Sequence, residues 1–212
     1  MTALPDLSRK STRPELLAEM ALEDERLLQE LLQGVSPHTK KAQLRENCSK
    51  ALRIMAEQWP ETLLPHWDYF LGLLKSDNGF SKMVAIYVLA SLVPVDANGL
   101  FEKSFNVFYS LLDDESVMVA SHAAGVSGRI AKAKPALQSK ITKRLLEIDR
   151  THFEPSRQDL IKSYIIEALN QYFGESKDKL KIVAFVKRQV DCSSPKTRKL
   201  ARESLKKWGD AR

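Results

Sequence analysis

The segment Leu73-Leu74-Lys75-Ser76-Asp77 recurs in altered form along the chain. Leu111-Leu112-Asp113-Asp114 and Leu145-Leu146-Glu147-Ile148-Asp149 repeat it, and Leu31-Leu32 and Val190-Asp191 hold matching places. The leucine pairs lie 42, 38 and 34 residues apart. Because periods of about 33 to 47 residues are typical of repeats built from two or three helices, the pattern predicts an all-α helical-repeat fold.

The apolar residues between these pairs recur at steps of three and four, which is the period of a helix with one buried side. One such helix ends at the turn Ser76-Asp77-Asn78-Gly79, and its apolar residues are Leu63, Leu64, Trp67, Phe70, Leu71 and Leu74. No segment shows the alternation of a half-buried strand. The chain is therefore predicted to consist of about five antiparallel helix pairs.

The segment that opens the last helix, Asp191-Cys192-Ser193-Ser194-Pro195-Lys196-Thr197-Arg198, resembles the second-helix signature of HEAT repeats. In that family an aspartate closes the turn, a proline lies in the first helical turn and a basic residue follows. Pro155-Ser156-Arg157 and residues 77–82 are partial copies, whereas Val117-Met118-Val119 departs from the pattern. The resemblance covers most of residues 23–209 and implies a right-handed superhelix, a HEAT-like α-α solenoid.

The domain organisation follows from the same pattern. Residues 1–13 are polar and rich in turn formers, so they are predicted to be a flexible N-terminal tail. Pro14 suits the first turn of a helix. Residues 14–212 are predicted to form a single HEAT-like repeat domain, because each repeat of such an array packs only on its neighbours.

Composition limits the class of protein. Hydrophobic residues make up 43% and charged residues 28% of the chain, which is typical of a folded protein. No apolar run approaches the roughly 18 residues of a membrane span, and Met1–Met20 lacks the apolar core of a signal peptide. Cys48 and Cys192 are far apart and are predicted to be free thiols. These features predict a cytoplasmic protein with no membrane partner.

The net charge of +6 is unevenly distributed. Residues 1–128 contain 12 Lys or Arg against 17 Asp or Glu, a net charge of −5, whereas residues 129–212 contain 21 against 10, a net charge of +11. The chain is therefore acidic in its first part and basic in its last part, where an acidic partner or a phosphate backbone would be attracted.

No grouping of residues predicts catalysis. His38, His66, His122 and His152 are scattered, without the close spacing that metal ligands require. The chain has no glycine-rich phosphate loop and no Gly-x-Ser-x-Gly nucleophile segment. The sequence therefore predicts a protein that is not an enzyme, with no cofactor, no metal and no evident small-molecule substrate.

Two candidate sites remain. The first is a groove at Ser121, His122 and Gly125, in a helix rich in small residues. The small residues have two interpretations, which are close packing between helices and a shallow pocket, and His122 is interpreted as a core or groove-edge residue. The second candidate is a basic face; its residues are Arg129, Lys132, Arg157, Lys162, Arg198, Lys199, Arg202 and Lys206. The resemblance places second helices on a concave face, so these cations are interpreted as a binding groove or as a solvated terminal cap.

The predicted function is a non-catalytic scaffold or adaptor that binds a protein or peptide partner, preferably an acidic one, in the concave groove. The alternative is a nucleic-acid-binding protein that uses the basic C-terminal repeats. In length, helical content and basicity the chain is similar to the HEAT-like DNA alkylation repair glycosylases. Their Trp-Trp-Asp segment has only Trp67-Asp68 as a counterpart here.

Overall fold

The computed structural model describes residues 6–209, and every regular element in that range is helical. The α-helices are α1 (Pro14–Met20), α2 (Glu25–Gly34), α3 (Ala42–Gln58), α4 (Pro60–Leu63), α5 (Trp67–Leu73), α6 (Gly79–Leu92), α7 (Leu100–Ser110), α8 (Val117–Ala133), α9 (Gln138–Leu146), α10 (Pro155–Tyr172), α11 (Lys179–Lys187) and α12 (Pro195–Gly209). Short 3-10 helices lie at Leu64–His66, Val93–Val95, Leu111–Asp113, Pro135–Leu137, Ile148–Arg150 and Phe173–Glu175.

The predicted all-α class is therefore confirmed over the part of the chain that the structure describes. The repeated leucines have the expected role, because Leu73, Leu74, Leu111, Leu112 and Leu145 are all buried. The chain divides into two compact units, Met1–Ser104 and Phe105–Arg212. The single-domain organisation stays a prediction.

In the first unit, the helix starts follow local chemistry. Asp24 caps α2 by accepting hydrogen bonds from the amides of Arg26 and Leu27, and Asn78 caps α6 through the amide of Ser81. Pro14 and Pro60 lie in the first turns of α1 and α4. Helix α3 packs against α1, α2 and α6, which gives this unit its core.

The N-terminal segment, predicted as a flexible tail, makes defined contacts from residue 6 onward. Leu7 is buried, and the side-chain amide of Asn47 donates hydrogen bonds to the carbonyl oxygens of Leu7 and Arg9, both at 2.9 Å. Residues 6–13 therefore pack against α3, and residues 1–5 of the predicted tail lie outside the described residues.

The second unit has two layers of helices. In one layer α10 packs between α8 and α12, and in the other layer α9 packs against α11. Pro155 and Pro195 lie in the first turns of α10 and α12, which agrees with the predicted starts of both helices. Helices α8, α10 and α12, each the second helix of a pair, therefore lie next to one another. The predicted site residues are on these three helices.

Candidate functional site

Helices α8, α10 and α12 run in the same direction. The Cα of Gly125 on α8 faces Tyr164 of α10, and further along the two helices Gly128 faces Ala168. On the other side of α10, the carbonyl oxygen of Asp159 accepts a hydrogen bond from the Thr197 hydroxyl (2.6 Å), and later Asn170 donates to the Ser204 hydroxyl (2.7 Å). Equivalent positions of the three helices therefore lie side by side.

The exposed side of these helices has Tyr164 at its centre. The His122 ring from α8 lies edge-on to the Tyr164 ring, with 6.3 Å between ring centroids. From α12, the Lys196 ammonium lies 4.3 Å from the centroid of the Tyr164 ring and 3.0 Å from a carboxylate oxygen of Glu167. One helical turn before His122 and Tyr164 respectively, Met118 is 59% exposed and Leu160 is 37% exposed.

We call this surface the second-helix face, and its residues are Met118, His122, Leu160, Tyr164, Glu167 and Lys196. It combines apolar side chains with groups of both charge signs. The sequence predicted His122 as part of a groove, but it did not identify Tyr164, because Tyr164 continues an apolar helical stripe that looks entirely buried.

The small residues of α8 allow close contact between helices. A Cβ placed on Gly128 would lie 2.5 Å from the carbonyl oxygen of Ala168 and 2.9 Å from its Cα. A Cβ on Gly125 would instead lie 3.4 Å from Tyr164 Cδ1, which is ordinary contact. The close-packing interpretation therefore holds at Gly128, and the Tyr164 ring fills the space beside Gly125. Ser121 is buried and does not contribute to the exposed face.

Lys162 does not belong to the exposed basic face that the sequence predicted. Its side chain is buried, and its ammonium lies 2.7 Å from an oxygen of Asp149 and 2.9 Å from an oxygen of Asp159. Burial alone would lower the pKa of Lys162, but the hydrogen bonds and charges of the two carboxylates outweigh burial and raise it. Lys162 is therefore an internal partner of two aspartates and not an exposed cation.

Arg198 and Arg202 also turn away from the second-helix face. The Arg198 guanidinium donates to the carbonyl oxygens of Cys192 (2.7 Å) and Ser193 (2.9 Å). Arg202 donates to the carbonyl oxygen of Val190 (3.0 Å). Both arginines thus satisfy carbonyl groups in the turn between α11 and α12, where no regular helix supplies the backbone donors.

The other candidate cations are spread over several surfaces. Lys199 is exposed, 3.9 Å from Glu203, and with Lys206 it lies opposite the side of α12 that contacts α10. Lys132 and Arg157 are exposed, and Arg129 is half-buried on the same side of α8 as His122. Of the eight predicted residues, Lys162, Arg198 and Arg202 are therefore engaged within the protein, and a basic face formed by the others stays a prediction.

The sequence did not predict a groove between the first helices α9 and α11. One cavity of about 560 Å³ is lined by Ser139, Lys140, Thr142, Lys143, Leu146, Glu147, Asp178 and Lys181. A second cavity of about 350 Å³ shares Ser139 with the first and is lined by Pro135, Ala136, Gln138, Ser139, Glu175 and Lys177. We call the two together the first-helix groove. The signal that could have indicated it is the lysine density of residues 134–150 and 175–188.

In the Trp67-Asp68 pair, which was compared with the repair glycosylases, Trp67 belongs to the core of the first unit, whereas Asp68 is exposed. Trp67 is 3% exposed, and its indole N–H donates to the Ser104 hydroxyl at 3.1 Å. A buried indole that is bound in this way packs the interior. Trp67 is therefore not placed to face a base.

Two features are absent from residues 6–209. No cluster of three or more His, Cys, Asp or Glu side chains is arranged to hold a metal ion. No helix in this range is both long and apolar enough to cross a membrane.

Comparisons with known proteins identify the class of fold. The sequence matches no protein-family model and no curated protein. The structure is similar to an engineered protein solved by crystallography, at a TM-score of 0.54 and 15% identity, covering 91% of this chain and 89% of the other. It is also similar to a designed armadillo repeat protein, at a TM-score of 0.52 and 14% identity, covering 94% and 95%. The fold is thus that of all-helical repeat proteins, and HEAT repeats in particular stay a prediction.

Proposed function

We propose that this protein is a non-catalytic protein-binding module whose second-helix face receives the partner. The observation that carries the proposal is the exposure of Met118 and Leu160 beside Tyr164, on adjacent parallel helices. Methionine, tyrosine and arginine are enriched at protein interfaces, and charged side chains surround an apolar centre there. His122 and Lys196 hold the Tyr164 ring in place, which lowers the entropic cost of binding.

The partner that we propose for this face has apolar anchor side chains and both charge signs. Lys196 on the face is already accompanied by Glu167 at 3.0 Å, so the face does not present charge of one sign only. The nucleic-acid alternative has less support, because Lys162 and Arg198 are engaged within the protein. It is therefore an outcome of the test below.

The test begins with a photo-reactive amino acid at Met118, used to cross-link the partner in native extract with and without nuclease. The cross-linked protein is then purified and titrated against Leu160→Glu, with Leu16→Glu as the matched control. Leu16 is 48% exposed on α1 of the first unit, which contributes no residue to the second-helix face. We expect Leu160→Glu to weaken binding at least about tenfold and Leu16→Glu less than about twofold.

Three results would contradict the proposal. Equal affinities of the two variants for the partner would show that the partner binds another surface. A cross-linked product that disappears with nuclease would support the nucleic-acid alternative. Conversion of a small molecule by the purified protein, abolished by Tyr164→Ala, would make the face an active site.

A further inference from the structure

We propose that the first-helix groove docks an extended acidic protein segment that carries apolar side chains. The inference rests on the proposed function only in taking the partner to be a protein, and it concerns a different surface of the second unit. It is based on the charge around the groove, the chemistry of its walls and its length.

The charge around the groove is strongly positive. Residues 134–150 and residues 175–188 each contain five Lys or Arg against two Asp or Glu. The two segments together hold a net charge of +6, which equals the formal net charge of the whole chain. A groove flanked by charge of one sign attracts a partner of the opposite sign and speeds its association.

Two of the three carboxylates that line the groove, Glu147 and Asp178, are paired with neighbouring cations; the third is Glu175. Glu147 lies 3.2 Å from a guanidinium nitrogen of Arg150 and 3.7 Å from one of Arg144. Asp178 lies 2.7 Å from the Lys181 ammonium. These local pairs reduce the repulsion that the two carboxylates would exert on an anionic segment.

Lys143 and Lys177, in contrast, provide exposed positive charge at the two cavities. Lys143 lines the larger cavity and Lys177 lines the smaller one, and both side chains are exposed. Two carboxylates of a bound segment could pair with them at separate points along the groove.

Apolar groups in the walls favour a protein over a nucleic acid. Leu146 is half-buried in the larger cavity, and Pro135 and Ala136 line the smaller one. The Thr142 hydroxyl is hydrogen-bonded to the Tyr172 hydroxyl at 2.8 Å. A phosphate backbone has no apolar group to bury against Leu146, whereas an acidic segment with leucine or isoleucine matches both features.

The length of the groove suits a short segment. It follows the chain from Pro135 to Glu147, which corresponds to roughly 18 Å at the rise of a helix. An extended peptide covers that distance with about six residues. Helices and the turn before α11 form the walls, so the recognition uses side chains and not the addition of a strand to a sheet.

The experiment measures fluorescence anisotropy of a labelled peptide of about 12 residues, in which Asp and Glu flank two leucines. The comparison probes are the same peptide with Gln and Asn in place of the acids, and a single-stranded DNA of similar charge. The groove variant is Lys143→Glu/Lys177→Glu. The control variant, Lys199→Glu/Lys206→Glu, makes the same charge change on α12.

We expect saturable binding of the acidic peptide that weakens at least about tenfold in the groove variant and about twofold or less in the control. Leu146→Gln should weaken binding with both lysines present. The proposal is overturned if the peptide does not bind, if both charge variants lose affinity equally, or if DNA binds more tightly and the groove variant abolishes that binding. Leu160→Glu should leave peptide binding unchanged. The result for this groove is therefore distinguishable from the result for the second-helix face.

Discussion

Gly128 and Ala168 bring α8 and α10 so close together that no side chain fits between them at this point. A Cβ on Gly128 would lie 2.5 Å from the Ala168 carbonyl oxygen, whereas a Cβ on Gly125, one turn earlier, would make its nearest contact at 3.4 Å with Tyr164 Cδ1. The same helix thus offers two glycines with opposite tolerance for a methyl group.

We expect Gly128→Ala to lower the free energy of unfolding by about 1–3 kcal/mol, because backbone atoms of α10 must move to accept the methyl group. Gly125→Ala should be neutral or stabilising by up to about 1 kcal/mol, because alanine favours helix more than glycine does. Urea unfolding of both variants measures the difference. Equal effects would show that the two helices are not in contact at Gly128.

The buried ion cluster of Lys162 predicts a second stability effect. Lys162→Met removes the partner of Asp159 while keeping most of the side-chain volume, and we expect it to cost about 2–4 kcal/mol. Lys199→Met, at an exposed position of α12, should change stability by less than about 0.5 kcal/mol. Chemical denaturation at neutral pH distinguishes the two.

The pH dependence of that effect has a definite sign. Burial would raise the pKa of Asp159, but hydrogen bonds from Lys162 and Ser193 and the charge of Lys162 lower it below 3.8. The pKa of Lys162 is raised above 10.5. The stability difference between wild type and Lys162→Met should therefore be constant between these limits. It should decrease as pH falls below 3.8 and as pH rises above 10.5; a maximum at either extreme would contradict this assignment.

Arg198 should contribute to the stability of the folded protein and not to the binding of a partner. Because its guanidinium binds the carbonyl oxygens of Cys192 and Ser193, Arg198→Ala is expected to cost about 1–2 kcal/mol. The affinity for the acidic peptide, measured where the variant is fully folded, should not change. A loss of affinity without a loss of stability would show that Arg198 contacts the partner, as the sequence predicted.

The two cysteines should differ in reactivity. Cys48 is fully buried, and burial, followed by the charge of Glu30, raises its pKa to about 12. At pH 8 only about one molecule in ten thousand carries the thiolate at Cys48. Cys192 is half-buried. We expect an alkylating reagent to modify Cys192 in the native protein and Cys48 only after unfolding, as read by mass spectrometry; comparable native rates would contradict the burial of Cys48.

Helical periodicity predicted the fold because it depends on properties of single helices. The phase of Leu73, Leu111 and Leu145 is enough to show which side of each helix is buried. Helical phase alone is not enough to predict which charged side chains are exposed. Lys162 and Lys199 look alike in sequence, but Lys162 contacts Asp159 of its own helix and Asp149 of the preceding 3-10 helix, whereas Lys199 is exposed.

The first-helix groove was not predictable for a similar reason. One wall comes from α9 and the residues before it, and the other comes from Lys181 of α11 and the residues before α11. The whole of α10 separates the two in sequence. Leu146 was correctly seen as part of a repeated leucine pair, but its sequence pattern indicates burial, whereas in the structure it is only half-buried against a cavity. Sequence spacing alone does not show how far apart two neighbouring helices lie.

Asp159 also links two helix pairs, and this has a consequence for how the second unit opens. One oxygen binds Lys162, while the other accepts hydrogen bonds from both the amide and the hydroxyl of Ser193, each at 2.8 Å. The last helix pair therefore cannot detach without removing both Ser193 donors from Asp159, which keeps Lys162 of its own helix. Because this bond joins neighbouring helix pairs, we expect the amide of Ser193, although it lies in an exposed turn, to be protected from hydrogen exchange by Asp159.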